Sequence, residues 1–559
     1  MWQDYTWKPQ VTAIPGRAKW HVSYEKRSAF FHVFRVRTLT RSCAFFRLFW
    51  KNLPEPASQR NDTKKKHEMP NLSIATWPFY GASLWQSFPA DSPALNIPYD
   101  GNLMETKAIR SRIFPLVKEA CGRDGDIFAG KKSLLISDVV VNGARQDIFI
   151  DENGVIAAVG TDAVRLSDHK ADHVITAPGT WALPGFVNLH THAAMSLLRG
   201  YADDLPLDQW LSEKIFPAEA KMTPGDVFVG TELSCLEMIK TGTTAFHDMY
   251  FFAEETARAA RGMGIRARIS YGFSDTGEPD RLESARKGAE AFVRTVRDYK
   301  SHLIQPGIGP HTIYTVSEEG LQWAGDFARK EGIGIHIHLS ETEREVTDCL
   351  SRHGMRPARW LEKCGVLTPH TIAAHCCWVD RPECALLARN GVHVAHNPVS
   401  NMKLAVSRTM PLPWLKKAGV NVGLGSDGCT SNNNLDLIEE MRMASLLQKF
   451  SWNDRTLLPP EAALAMATRA GSVALGLPTG RIEAGARADI ILVRPSMPVP
   501  SPPGTIAGYL MYRGCGADVV TTICDGKVLM HERFVPREEE IIRNASEAAT
   551  NLIRRVTET

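Results

Sequence analysis

No apolar run in the 559 residues approaches the roughly 18 to 20 needed to cross a bilayer, so no transmembrane helix is expected. An excess of one charge is missing too. The 65 Lys and Arg face 62 Asp and Glu, a formal net charge of +3, which carries no global signature of nucleic-acid or membrane binding. Eleven cysteines are present, but the Cys-x-x-Cys spacing is not, and Cys376 and Cys377 stand side by side. Thiols scattered in this way through a long chain read as reduced, which points to a cytoplasmic protein. With 44% hydrophobic residues, the chain can bury a large core.

Periodicity and punctuation divide the chain. From about Ser133, short apolar strands alternate with turns in LLISDVVVNG, QDIFIDENGVIAAVG and HVITAPGTWALPGFVN, with Glu152-Asn153-Gly154 as a hairpin signal. Short strands return in GRIEAGARADIILVRP and DVVTTICDGKVLMHERF, around Asp525-Gly526. Between these β-rich flanks, helical stretches such as PGDVFVGTELSCLEMIKTG and SEEGLQWAGDFARKEG alternate with strands, as βα units require. Gly242 and Gly332 are expected helix stops. PREEEIIRNASEAATNLIRRV has helical periodicity, with acids early and arginines late to complement the helix dipole.

The organisation expected is therefore an N-terminal extension over 1–132, a β-rich unit from 133–184 and 478–534, a barrel over 185–477 and a terminal helix over 535–559. The extension stands apart. Up to Lys66 it holds fourteen Lys and Arg against four Asp and Glu, with aromatic clusters AFFHVF and AFFRLFW. An organellar targeting segment and a patch for acidic partners are alternatives. The reading adopted is a poorly ordered extension upstream of a functional start at Met69 or Met104.

Four apolar runs end in metal-type or proton-transfer residues. GFVNLHTHAAMSLLRG carries His190 and His192, GIGIHIHLSE carries His338 and Glu341, HTIAAHC carries His375, and VNVGLGSDG carries Asp427. A lone buried histidine is more often a hydrogen-bonded core residue, but four such accidents at four strand ends are improbable together. In a closed barrel of parallel strands the C-terminal strand ends meet at one face, so these residues converge. Three imidazoles and a carboxylate, His190, His192, His338 and Asp427, suit one divalent ion per subunit, of zinc type with iron as the alternative. Such an ion lowers the pKa of a water it holds from about 15.7 towards roughly 7. The missing Pro-Cys-x-x-Cys pattern excludes the thiolate-held zinc of cytidine deaminases. His336 shares a face with His338 and is read as core. Glu343 and Glu345 are read as helix-surface charges.

Over roughly residues 133 to 540 the sequence resembles the amidohydrolase superfamily, and within it the 5-methylthioadenosine/S-adenosylhomocysteine deaminases. LPGFVNLHTHAAMSLLRGYADDLPL, GTTAFHDMYF, GPHTIYTVSEE, HIHLSETEREV, AAHCCWVD, HNPVSNMKLA and GSDGCTSNNNLDLIEEMRMASLLQK carry the resemblance. It implies an α/β fold, a (β/α)8 TIM-like barrel with a small composite β-sandwich built from the flanks. It further implies metal-dependent hydrolytic deamination of an adenine nucleoside, with 5'-methylthioadenosine, S-adenosylhomocysteine and adenosine as candidates. On this resemblance Glu341 shuttles protons, and His375 orients the attacking water without ligating the metal. Glu219 accepts from ribose hydroxyls, His311 contacts the nucleoside, and Ser431 contacts the purine.

One departure stands out. Family members acting on S-adenosylhomocysteine grip its carboxylate with two arginines, yet RISYGFSD has Tyr271 where one would align, leaving Arg281 for the other. Other functions remain open on sequence: an aminohydrolase or chlorohydrolase of guanine, another purine or a triazine, and a non-catalytic scaffold on the same fold. A two-metal cyclic-amide hydrolase would need a carbamylated lysine, and no lysine stands at a strand end in the expected region. A small-molecule substrate is expected, with neither nucleic acid nor membrane as partner, and assembly of like subunits is left open.

Overall fold

The computed structural model describes residues 127–558, apart from 129, 168–170, 206 and 498–504. The basic segment up to Lys66, with Met69 and Met104, lies outside the described residues. Among these residues no helix is long and apolar enough to cross a membrane.

The leading flank forms β1 (Leu134–Val141), β2 (Ala144–Ile150), β3 (Ile156–Val159), β4 (His173–Thr176) and β5 (Trp181–Pro184). Asp151 makes the β2–β3 turn, accepting at Oδ1 from the backbone N–H groups of Asn153 and Val155 (3.0 and 2.8 Å).

Eight parallel strands then follow: β6 (Phe186–Thr191), β7 (Thr243–Tyr250), β8 (Arg266–Phe273), β9 (Ile304–Pro310), β10 (Gly334–Leu339), β11 (Thr371–His375), β12 (His393–His396) and β13 (Val422–Leu424). They pair in sequence order from β6 to β13. Every residue of β6, β7, β10 and β11 is buried, as expected for strands covered on both faces. Just beyond β13, the N–H groups of Ser426 and Asp427 donate to the His190 carbonyl (3.1 and 3.0 Å) and bring the last strand against the first. The same pair of bonds carries Asp427 to His190 of β6 and to His192 just beyond it.

The trailing flank supplies β14 (Ile490–Val493), β15 (Val519–Cys524) and β16 (Lys527–His531). These join the leading flank in one composite sheet, in the order β16-β15-β14-β5-β1-β2-β3, with β4 also on β1. Ile136, Ile148, Ile156, Ile490, Leu492 and Ile523 share its apolar core, which is separate from that of the barrel. The hairpin turns of the two flanks touch: a Cβ on Gly154 would stand 2.1 Å from the Asp525 carbonyl oxygen, and one on Gly526 would stand 2.4 Å from the Gly154 Cα. Arg266, the first residue of β8, donates to Asp489 (3.1 and 2.9 Å) and to Asp525 (3.2 Å), so the sheet abuts the N-terminal ends of the barrel strands. The opposite face is left for chemistry.

The expected helices form. One spans Pro224–Thr241, with a Thr223–Asp226 capping box and a stop at left-handed Gly242, and another spans Glu318–Glu331, stopped at Gly332. The last helix, Glu538–Thr557, has acids in its first turn and Arg554 and Arg555 in its last. It pairs with the Pro224–Thr241 helix through Lys240–Glu538 (2.8 Å) and Arg555–Asp226 (2.5 Å).

Candidate metal centre and active site

The C-terminal strand ends bring together His190 from β6, His192 just beyond it, His338 from β10, His375 closing β11, and Asp427 just past β13. Potential ligand atoms of His190, His192 and Asp427 lie within 4.8 Å of one another, as do those of His190, His338 and His375. The Nε2 atoms of His190 and His192 each stand 3.3 Å from Asp427 Oδ1, and His338 Nε2 is 3.3 Å from His192 Nε2.

The far sides of the rings are tied down. His192 Nδ1 donates to the Met249 carbonyl (2.6 Å) and His338 Nδ1 to the His311 carbonyl (2.8 Å), which leaves each Nε2 with a lone pair towards the centre. His190 Nε2 is buried with no hydrogen-bond partner in good geometry, an arrangement that costs free energy unless something takes its lone pair. Asp427 accepts from the Ser400 hydroxyl at Oδ2 (2.6 Å) and from the Gly428 N–H at Oδ1 (2.8 Å). Burial holds His190 and His375 down to about 4 and His338 well below the ordinary value, so all three imidazoles are neutral at pH 7. This donor set fits a divalent ion.

His375 differs from the other three. Its Nδ1 accepts from Asn401 Nδ2 (2.8 Å), and Asn401 is oriented by the Cys377 thiol, which donates to its Oδ1 (3.2 Å). The ring proton therefore sits on Nε2, and that nitrogen is a donor rather than a ligand. Glu341 Oε1 lies 3.7 Å from His375 Nδ1. Burial, then the charge of Asp427, pushes the Glu341 carboxyl up to about 8. Ser340, His375, Cys376 and Asp427 all adopt left-handed backbone conformations, with φ between 49° and 70°. Strained residues gathered at strand ends are typical of sites where geometry is imposed by function.

Glu345 corrects the reading as a surface charge. It is buried, and its carboxylate accepts from the N–H groups of Ser340 (2.7 Å) and Glu341 (2.9 Å), holding the turn that carries Glu341. Burial pushes it up to about 8 despite those bonds. Glu343 is exposed, as expected. His336 is buried but is more than filler, because its Nε2 meets His190 Nδ1 at 2.8 Å.

The centre opens into a cavity of about 450 Å³, lined in part by His192, His338, Glu341, His375 and Asp427. Glu219, His311, Arg281 and Ser431 line it as well. Glu219 accepts from the Tyr250 hydroxyl (2.7 Å), and burial pushes it up to about 7. His311 is fixed by Thr315 Oγ1 (3.0 Å), and Ser431 donates to the Gly428 carbonyl (3.1 Å). Arg281 is 57% exposed and pairs with Glu278 (2.9 Å). Tyr271 does not line the cavity. It packs against Phe292, and a Cβ on Gly288 would collide with its hydroxyl, so the side chain faces the Pro279–Asp298 helix. The segment from Leu207 to Glu219 lines one wall with Leu207, Trp210, Leu211, Ile215 and Phe216.

Asn401, Ser400 and Tyr250 take parts in the site that sequence alone does not reveal. Each lies in a motif that carried the family resemblance, HNPVSNMKLA or GTTAFHDMYF, so the signal was there without the pairing that explains it.

Residues 181–529 match the model of the amidohydrolase family. A 5'-deoxyadenosine deaminase of Methanoregula boonei is 52% identical over 430 residues, covering 77% of this chain and 97% of that protein. A 5-methylthioadenosine/S-adenosylhomocysteine deaminase of Archaeoglobus fulgidus is 43% identical over 404 residues, covering 72% and 94%. Among solved structures, the adenosine deaminase of Xanthomonas campestris with bound zinc matches with a TM-score of 0.71 at 32% identity, covering 76% of this chain and 99% of that one. With an eight-stranded parallel barrel that gathers metal-type side chains at one face, the chain is an enzyme of the amidohydrolase family.

Proposed function

We propose that the protein hydrolytically deaminates an adenine nucleoside, with 5'-deoxyadenosine or 5'-methylthioadenosine preferred to S-adenosylhomocysteine. The observation that carries this reading is the placement of a carboxylic acid, Glu341, beside a three-histidine, one-aspartate cluster at the wall of a single cavity. His190, His192, His338 and Asp427 would hold the ion, and zinc is favoured because the Xanthomonas enzyme contains it. When bound, such an ion supplies a strong nucleophile from water at neutral pH.

The chain's own residues handle protons and orientation. Burial and the charge of Asp427 favour the protonated form of Glu341, which can give its proton to the purine ring nitrogen as water adds to C6. It then takes one proton of the added water and passes it to the exocyclic amine, which leaves as ammonia, and it regains its own proton from the C6 hydroxyl as the carbonyl forms. His375, with Nδ1 occupied by Asn401, offers Nε2–H to the attacking oxygen. Glu219 presents acceptors for the ribose hydroxyls, steadied by Tyr250.

The choice of nucleoside follows from charge. Among the described residues, Arg281 is the one guanidinium or ammonium group lining the cavity, and it lies largely in solvent beside Glu278. The wall from Leu207 to Phe216 is apolar, which suits a methyl or methylthio group and leaves an amino-acid carboxylate without a buried partner. Curated relatives named 5'-deoxyadenosine deaminases agree with that preference. Ammonia release measured across 5'-deoxyadenosine, 5'-methylthioadenosine, S-adenosylhomocysteine, adenosine, guanine and atrazine tests the proposal. The first two should be turned over fastest; no release from any adenosine derivative would overturn it.

A further inference from the structure

Beneath the ligand nitrogens, the barrel holds a stacked pair of imidazoles that neither the ligand set nor the substrate cavity uses. His336 on β10 and His247 on β7 are fully buried, and their rings stack with centroids 3.9 Å apart and planes 22° from parallel. His247 Nε2 is bonded to the Ser270 hydroxyl on β8 at 2.9 Å. His336 Nε2 reaches His190 Nδ1 at 2.8 Å.

Filling space does not account for this pair. The Nδ1 atoms of both rings are buried with no partner among the described residues, a cost that an apolar side chain of similar shape would avoid. What an imidazole offers and a phenyl ring cannot is an acceptor at Nε2. As a metal ligand His190 presents the lone pair of Nε2 to the ion beside Asp427, which places its proton on Nδ1, where it meets that acceptor. The Nδ1 protons of His192 and His338 go to backbone carbonyls, which no mutation can delete. For His190 the corresponding partner is a side chain.

We propose that His336 is a positioning residue of the metal centre. Its Nε2 accepts the His190 Nδ1 proton, fixing both the tautomer that exposes His190 Nε2 and the orientation of the ring. The stack on His247, itself anchored by Ser270, holds His336 in place. The proposal rests on the reading of His190 as a metal ligand.

The test compares His336→Phe, which keeps the flat ring and the stack, with His336→Gln, which keeps an acceptor. His336→Leu repeats the acceptor-less case should the Phe variant not fold. Zinc affinity is read by competition with a chromophoric chelator, and thermal melting of the zinc-free proteins serves as the control for folding. The acceptor-less variant should lose roughly 10- to 100-fold in zinc affinity while melting like the zinc-free wild type, and Gln should recover at least part of that loss. An acceptor-less variant that binds zinc as the wild type does, or a Gln variant no better than Phe, overturns the role of His336 alone. A wild type that takes up no zinc overturns the ligand reading, and this proposal with it.

Discussion

Glu341 separates two duties that the cluster could share, holding an ion and moving protons. Its carboxyl stands beside His375 rather than among the bonded faces of His190, His192 and Asp427, and burial with the nearby Asp427 charge favours its protonated form. Glu341→Gln preserves volume and one acceptor but removes the titrating oxygen. Metal content should stay at the wild-type level while ammonia release falls by about 10²- to 10⁴-fold, the usual worth of a positioned acid–base group. Elemental analysis of the variant beside single-turnover ammonia assays checks both halves. Near-normal turnover would mean that another group carries the proton, and loss of metal would mean that Glu341 also supports the ligands.

At the scale of elements, the site is made by strand ends and the turns leaving them. This is why part of it is legible in sequence and part is not. An apolar run closing on histidine or aspartate announces a buried strand with a chemically active end, so the gathering of His190, His192, His338, His375 and Asp427 at one face is legible without coordinates. Glu345 cannot, because its window, ETERE, has the composition of a solvated helix start; only the fold shows its carboxylate turned back to cap the N–H groups of Ser340 and Glu341. His336 and Tyr250 are hidden for a similar reason, since their partners, His190 and Glu219, lie 146 and 31 residues away. Turns are more legible. The glycines of Glu152-Asn153-Gly154 and Asp525-Gly526 both adopt left-handed conformations, with φ of 80° and 77°. Their mutual contact, which joins the two flanks, is not encoded in either turn alone. Gly154→Ala should therefore cost more than backbone strain, because its methyl would meet the Asp525 carbonyl at 2.1 Å. A loss of order 1–3 kcal/mol is expected, read as a fall of a few degrees in melting temperature. An unchanged melting temperature would show that the two turns part without penalty.

For the whole molecule, the junction between composite sheet and barrel is electrostatic as well as apolar, and its key member is Asp525. Burial alone would raise its pKa. Hydrogen bonds from Lys131, Arg487 and His302 and the charge of Arg266 outweigh that and bring it to about 2. The carboxylate itself is 1% exposed, whereas Lys131 and His302 reach solvent at 30% and 60%. A folded-state pKa below the unfolded value near 3.9 means that the unfolded chain binds the proton first as pH falls. The contribution of Asp525 is thus complete above about pH 4 and is lost between about pH 4 and pH 2. Discounted for the solvent-exposed rim, it is on the order of 1–2 kcal/mol. Asp525→Asn suits the test because Asn tolerates the left-handed backbone at this position, where φ is 55°. Denaturant unfolding at pH 6 should show the variant less stable than the wild type, and the gap should narrow steadily as the pH is lowered from 4 towards 2. A gap that stayed constant over that range would assign the loss to packing and remove the charge of Asp525 from the account of how barrel and sheet are held together.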